Sequence, residues 1–271
     1  MNVLKAILLG IIQGLSEFLP ISSSGHLVLA EEILNFKEGG LAFEVFVHFG
    51  TLLAVVWIFR EDIWKMIKAI PHLFRFSIQH LTVEQREYIL FNRFIILGSI
   101  PAAVIGILFE SEIENLFNSH ELVLVMLFIT GLIMISSRYT REKRPEINGL
   151  HAFLIGVAQA FAIIPGISRS GSTIVTGLWL GIRRDRVARF SFILSTPVIF
   201  GATLLKLKDL LHEPPPGHEI INLILATLAA TISGYLAIIW LLDVIKKQKL
   251  EWFGFYCIAI SLIGAIFVMM N

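Results

Sequence analysis

Charge is what this sequence has least of. Asp, Glu, Lys and Arg make up 16% of its 271 residues, 56% are hydrophobic, and the mean hydropathy is +0.78. So few charges beside so much Leu, Ile and Phe argue against a soluble domain and for a membrane protein. No basic excess exists either: the net charge of +1 argues against nucleic acid as a partner, which needs a concentrated basic face. Cysteine is nearly missing. Cys257 is the only one and lies in an apolar run, so a disulfide within the chain and a cysteine metal site are excluded and packing is its expected role. The apolar stretch after Lys5 superficially resembles a signal peptide, but no small-residue cleavage site follows, and it is read as mature protein.

What is present is a series of long apolar runs. A helix needs roughly 20 apolar residues to cross a bilayer core, and six runs approach this, at about 41–59, 89–108, 122–137, 188–206, 220–245 and 253–270. Two more are interrupted. Residues 3–34 contain Gln13, Glu17, Pro20 and Ser22-Ser23-Ser24-Gly25-His26; residues 150–182 contain Gln159, Pro165-Gly166 and Ser168-Arg169-Ser170-Gly171. Each reads as two short helices joined by a turn, a re-entrant hairpin. The expected fold is an all-α polytopic membrane protein of six transmembrane helices plus two re-entrant hairpins.

Lys and Arg in short loops set orientation. Arg60, Lys65, Lys68, Arg75 and Arg86 fall between the first two spans, Arg138, Arg141, Lys143 and Arg144 after the third, Arg183, Arg184, Arg186 and Arg189 before the fourth, and Lys246, Lys247 and Lys249 before the sixth. Segments 110–121 and 209–219 carry neither residue. With the basic loops in the cytoplasm the spans alternate without conflict, both termini lie outside, and the two hairpins enter from opposite sides. The single membrane domain, 1–271, therefore reads as an inverted repeat: 1–144 with its hairpin at about 3–34, and 145–271 with its hairpin at about 150–182. Gly10 and Gln13 align with Gly156 and Gln159, and at the same offset Ile21-Ser22, Ser24 and Gly25 align with Ile167-Ser168, Ser170 and Gly171.

Irregular backbone at membrane depth must be buried in protein or line a cavity, and ionisable residues there are rare and usually functional. Glu17, His26 and Arg169 all lie in or beside the breaks, so two hairpins meeting near the midplane would gather them in one pocket. Serines at the breaks are preferred helix caps, Gly25 and Gly171 permit close backbone approach, and helix N-termini attract anions. With Arg169 as a fork of donors, the expected ligand is a phosphate compound held by Ser22, Ser24, Gly25, Ser168, Ser170, Gly171 and Thr173. Gln13 and Glu17 share a helix face. A carboxylate facing phosphates calls for a cation, so Mg²⁺ or Ca²⁺ on Glu17, with Gln13 as a neutral ligand or hydrogen-bond partner, is expected. His26 serves as acid, base or nucleophile, or activates Ser23; the residues do not choose among these routes. The plainer alternatives are a Glu17 that merely pins the hairpin, serines that only cap, and an Arg169 that only pairs with Glu17. Glu44 and His48, one turn apart, either line the pocket or face solvent at the interface.

The stretches QGLSEFLPISSSGH (13–26) and PGISRSGST (165–173) resemble the two signature motifs of the undecaprenyl-diphosphate phosphatase family of the bacitracin-resistance type. The likeness covers essentially the whole chain. It implies hydrolysis of undecaprenyl diphosphate to the monophosphate and inorganic phosphate in the bacterial cytoplasmic membrane, at a site open to the outer face, with roles for Glu17, Ser23, His26 and Arg169. Gln13 stands where many members have Glu, which weakens any mechanism needing two carboxylates there. Two rival functions fit part of the pattern: a transporter or flippase using the same pocket, and an acid-phosphatase-like lipid phosphatase. The latter fails because no His follows Arg169 until His212.

Overall fold

A computed structural model describes every residue except Met1, 35–39, 76, 118, 144–145, 213 and Asn271. The described residues of the first half form α1 (Val3–Phe18), α2 (Ser23–Ile33), α3 (Gly40–Ile58), α4 (Arg60–Ala69), α5 (Val83–Leu108), α6 (Glu110–Leu116) and α7 (His120–Ser136). Those of the second form α8 (Gly149–Phe161), α9 (Arg169–Trp179), α10 (Arg184–His212), α11 (Ile220–Lys246) and α12 (Glu251–Met270). Polar side chains mark the starts. Asn2, Ser119, Asn148 and Ser168 each accept a backbone N–H at a helix N-terminus, and Thr82 with Gln85 closes a reciprocal capping box on α5.

Five helical stretches are long and apolar enough to cross a bilayer: Val83–Leu108, His120–Tyr139, Arg184–Leu207, Gly217–Lys246 and Glu251–Val268. A sixth results if Ala42–Ile58 is counted with Arg60–His72, which turns from it by 83°. This bend departs from the sequence pattern, in which residues 60–72 read as a charged loop. Trp64, Ile67 and Ile70 are exposed in this segment, and the Lys68 ammonium lies over the Trp64 ring, 5.1 Å from its centroid.

Both interrupted stretches are broken: α1 and α2 pack against each other, as do α8 and α9. The first helix of each pair packs on a span of the other half, α1 on α11 and α8 on α5. Small residues allow these contacts. A Cβ on Gly10 would run into the backbone of Ala226, and one on Gly156 into the backbone of Gly98. Close approach through glycine is how membrane helices gain packing without a hydrophobic driving force. On the opposite side of α11, Leu228, Ile232, Leu236 and Ile239 are exposed, as lipid-facing side chains should be.

Candidate active site

The two turns share a capping pattern on different backbones. Leu19 leaves α1 in extended conformation, and Ser22 adopts a left-handed φ of 69°. Its hydroxyl accepts from the Gly25 N–H at 3.3 Å and lies 3.2 Å from Ser24 Oγ. In the second turn Ser168 Oγ accepts from the Gly171 N–H at 3.1 Å and lies 3.3 Å from Ser170 Oγ. Gly166 takes φ +92°, where a Cβ would collide with the Val123 carbonyl. Thr130 of α7 ties this turn down: it donates to the Gly166 carbonyl at 2.9 Å and accepts from the Ser168 N–H at 3.0 Å.

The tips meet. Gly166 N–H donates to Ser24 Oγ at 3.3 Å, and Ser170 Oγ donates to the Leu19 carbonyl at 3.3 Å. Glu17 then joins the two hairpins. Arg169 Nη2 donates to its Oε1 at 2.5 Å, while Gln13 Nε2 at 2.9 Å and Ser23 Oγ at 2.7 Å donate to Oε2. Glu17 is 8% exposed; a carboxylate so removed from water is tolerated only when paired and hydrogen-bonded.

Beside this cluster lies a cavity of ≈ 280 Å³, lined from both halves by Gln13, Glu17, Ser23, Ser24, Gln159, Ser168 and Arg169, with apolar walls from Leu27, Ile163, Val198 and Ile199. Buried polar atoms at its edge have no hydrogen-bond partner among the described residues: Gln13 Oε1, both amide atoms of Gln159, Arg169 Nη1 and Thr203 Oγ1. Unpaired buried polar atoms cost about 1–3 kcal/mol each, so the site is arranged for a polar ligand.

Other expected residues lie elsewhere. Ser22, Gly25, Ser170, Gly171 and Thr173 are not in the cavity wall; the first four shape the turns, and Thr173 donates to the Arg169 carbonyl and meets Ser191 of α10. His26 is also outside the wall. Its Nδ1–H donates to the Ser22 carbonyl at 2.9 Å, its Nε2 accepts from the Tyr256 hydroxyl at 2.8 Å, and the two rings stack. The cavity wall thus includes Glu17 and Arg169 but not His26, whose nitrogens bond the Ser22 carbonyl and Tyr256 of α12. The imidazole that faces the cavity belongs to His48. Its Nδ1–H donates to the Glu44 carbonyl at 2.8 Å, and its Nε2 lies 3.9 Å from Glu17 Oε2.

At the rim Lys206 pairs with Glu44 at 3.0 Å. Sequence reasoning missed Lys206 and Thr203, which follow Pro197 in α10 at spacings that read as ordinary span. Gln159 stands out in the sequence as an interruption of the apolar stretch and as the repeat match of Gln13, without a role in the pocket assigned to it. Among the described residues no cluster of three His, Cys, Asp or Glu forms a protein-only metal cage. Glu17 and the unpartnered Gln13 Oε1 are two oxygens on one helix face, a set that fits a hard cation completed by ligand oxygens.

Residues 6–263 match the sequence profile of the family described as bacitracin resistance protein BacA. The chain belongs to the BacA family. A protein of Halothermothrix orenii named undecaprenyl-diphosphatase is 44% identical, over 98% of this chain and 100% of that one. Proteins of the same name from Methanobrevibacter smithii and Christiangramia forsetii are 42% and 39% identical, over 97% and 98% of this chain and 96% and 98% of theirs. The BacA match spans both hairpins.

Proposed function

We propose that this chain hydrolyses undecaprenyl diphosphate to undecaprenyl phosphate and inorganic phosphate, recycling the lipid carrier of cell-wall synthesis and conferring bacitracin resistance. One observation carries the reading: Ser23 Oγ donates to the buried Glu17 carboxylate inside a cavity that also presents Arg169. A hydroxyl aligned on a buried base is the arrangement of an activated nucleophile. A transporter or flippase needs binding alone and has no use for that alignment.

In the proposed reaction the diphosphate enters the cavity and draws Arg169 from Glu17 onto its terminal oxygens, where the guanidinium's fork of donors binds them. The carboxylate takes the Ser23 proton on Oε2, the oxygen that already accepts from Ser23 Oγ while Arg169 is held on Oε1. Ser23 Oγ forms a bond to the terminal phosphorus as the bond to the bridging oxygen breaks, and that oxygen leaves with the polyprenyl monophosphate. Water then attacks the phosphoserine, freeing inorganic phosphate, and Glu17 returns its proton to Ser23 Oγ. His48, whose Nε2 carries the lone pair when its Nδ1–H is bonded to Glu44, is placed to shuttle protons at the rim. Glu17 and Gln13 would hold Mg²⁺ or Ca²⁺, which when bound offsets charge on the phosphate oxygens.

The wall of the cavity includes Glu44 near the start of α3, Lys206 near the end of α10 and Phe117 just after α6. Phe117 and the end of α10 adjoin or lie in the segments without Lys or Arg, while basic residues follow the end of α3 and precede α10. The positive-inside rule then supports a site open to the outer face of the cytoplasmic membrane. The inverted repeat is supported by α1 on α11 and α8 on α5, with Gly10 and Gly156 at the contacts. Phosphate release from a polyprenyl diphosphate by purified protein is expected, abolished by Ser23→Ala. Full release by that variant would return the attack to water; no release by the unaltered protein, with substrate still bound, would favour transport.

A further inference from the structure

A second pair of cavities lies on the far side of α9. One is an apolar trough of ≈ 460 Å³ between α7, α8 and α9, whose wall includes Ile133, Leu154, Val157, Phe161 and Thr176. It begins at Ile167, which also lines the catalytic cavity, and ends at Trp179 and Leu180. From Ser172 to Leu180 the helical rise gives it a length of roughly 12 Å, close to one leaflet of hydrocarbon. Trp179 and Leu180 are shared with a second cavity of ≈ 600 Å³ that contains Tyr139, Arg141, Lys143 and Gly181. The trough therefore opens into a cationic mouth at the level of the basic loops.

The cations of this mouth differ from their neighbours. Arg183 pairs with Asp185, Arg184 with Glu142, Arg186 with Glu87 and Arg189 with Asp62. Among the described residues the side chains of Arg141 and Lys143 have no such partner, and the one carboxylate between them in sequence, Glu142, is engaged by Arg184. The Lys143 N–H donates to the Gly181 carbonyl at 2.8 Å, which fixes the backbone of the mouth. Tyr139 and Trp179 are exposed beside it, as side chains at a headgroup boundary are.

We propose that this trough and mouth bind an anionic phospholipid of the leaflet next to the basic loops. Its phosphate lies at Arg141 and Lys143, and one acyl chain follows α9 toward Ile167. Apolar trough and unpaired cations in that order match such a lipid, and basic pockets between membrane helices on this side are the common form of such sites. The chain's inner end would rest against Ile167, a residue in the wall of the catalytic cavity, so occupancy supports the second hairpin from behind.

The test is native mass spectrometry of the purified full-length protein with phosphatidylglycerol and phosphatidylcholine of matched chains. One phosphatidylglycerol per chain should be retained with a preference of roughly 30-fold, about fivefold for each cation. Arg141→Gln with Lys143→Gln should bring the two lipids close to parity, and Val157→Trp, which fills the trough, should reduce retention of both. An unchanged preference in the double variant overturns the proposal, as does displacement of the lipid by millimolar inorganic phosphate, which would mark a free-anion site. Displacement by polyprenyl phosphate at lower concentration than phosphatidylglycerol would assign the trough to substrate instead. Should Val157→Trp fail to remain monodisperse, the double charge variant decides alone.

Discussion

The first hairpin and the second share a scaffold and differ in cargo. Ser22 and Ser168 cap alike, Ser24 and Ser170 reach across to the opposite turn, and Gly10 and Gly156 seat their helices on the other half. At the same offset, however, Glu17 of the first hairpin corresponds to Ile163 of the second, and Arg169 of the second corresponds to Ser23 of the first. One hairpin brings the acid and the hydroxyl, the other the guanidinium. The matched serines and glycines shape the turns, the matched Gln13 and Gln159 line the cavity, and the mismatched Glu17, Ser23 and Arg169 carry the acid, the hydroxyl and the guanidinium. Two similar halves thereby make an asymmetric site at the one place where they touch.

That division predicts a ranking of variants. The largest effect is expected at the mismatched pair. Arg169→Ala should reduce phosphate release by roughly 10³-fold or more and lower stability by about 3–5 kcal/mol, since it strands a buried carboxylate. Glu17→Gln with Arg169→Ala should recover stability without activity, which a thermal melt beside the phosphatase assay would check. If Arg169→Ala kept full activity, the asymmetry would have no chemical meaning. Ser23→Ala should lower kcat by about 10³-fold with a near-normal melting temperature. His48→Ala should cost about 10²-fold and His26→Phe much less, measured as kcat; the reverse order would return the proton chemistry to the first hairpin's His26. At the matched positions, Ser22→Ala and Ser168→Ala should each cost about 1 kcal/mol of stability while kcat changes little. Unequal penalties would show that the shared scaffold is less symmetric than its hydrogen bonds. The smallest effect is expected at the rim. Lys206→Ala should raise KM a few-fold, because its ion pair with Glu44 is partly exposed and worth at most about 1 kcal/mol.

Much of this is legible in the sequence. Long apolar runs mark the spans, because hydrocarbon accepts little else over such a length. Polar breaks at Glu17 and Arg169 mark the two turns, because a carboxylate or guanidinium at that depth must be turned toward protein. The bend after Ile58 is not legible, because a helix carrying Arg60, Lys65 and Lys68 among its apolar residues has the charge of a loop. Nor is the orientation of His26. Sequence places it one turn from Ser22, but Tyr256, 230 residues away, decides which way the ring faces. Lys206 is hidden for the same reason, since only folding brings it to Glu44.

The crossed hydrogen bonds at the hairpin tips also impose an order on biogenesis. Gly166 N–H with Ser24, Ser170 with Leu19 and Arg169 with Glu17 span 142, 151 and 152 residues of chain. A ribosome that has released only the first half of the polypeptide into the membrane has delivered an acid and a hydroxyl with no guanidinium to face them. The site thus waits on the second half, which supplies Arg169 and then, from α10, the cavity wall of Val198, Ile199 and Thr203.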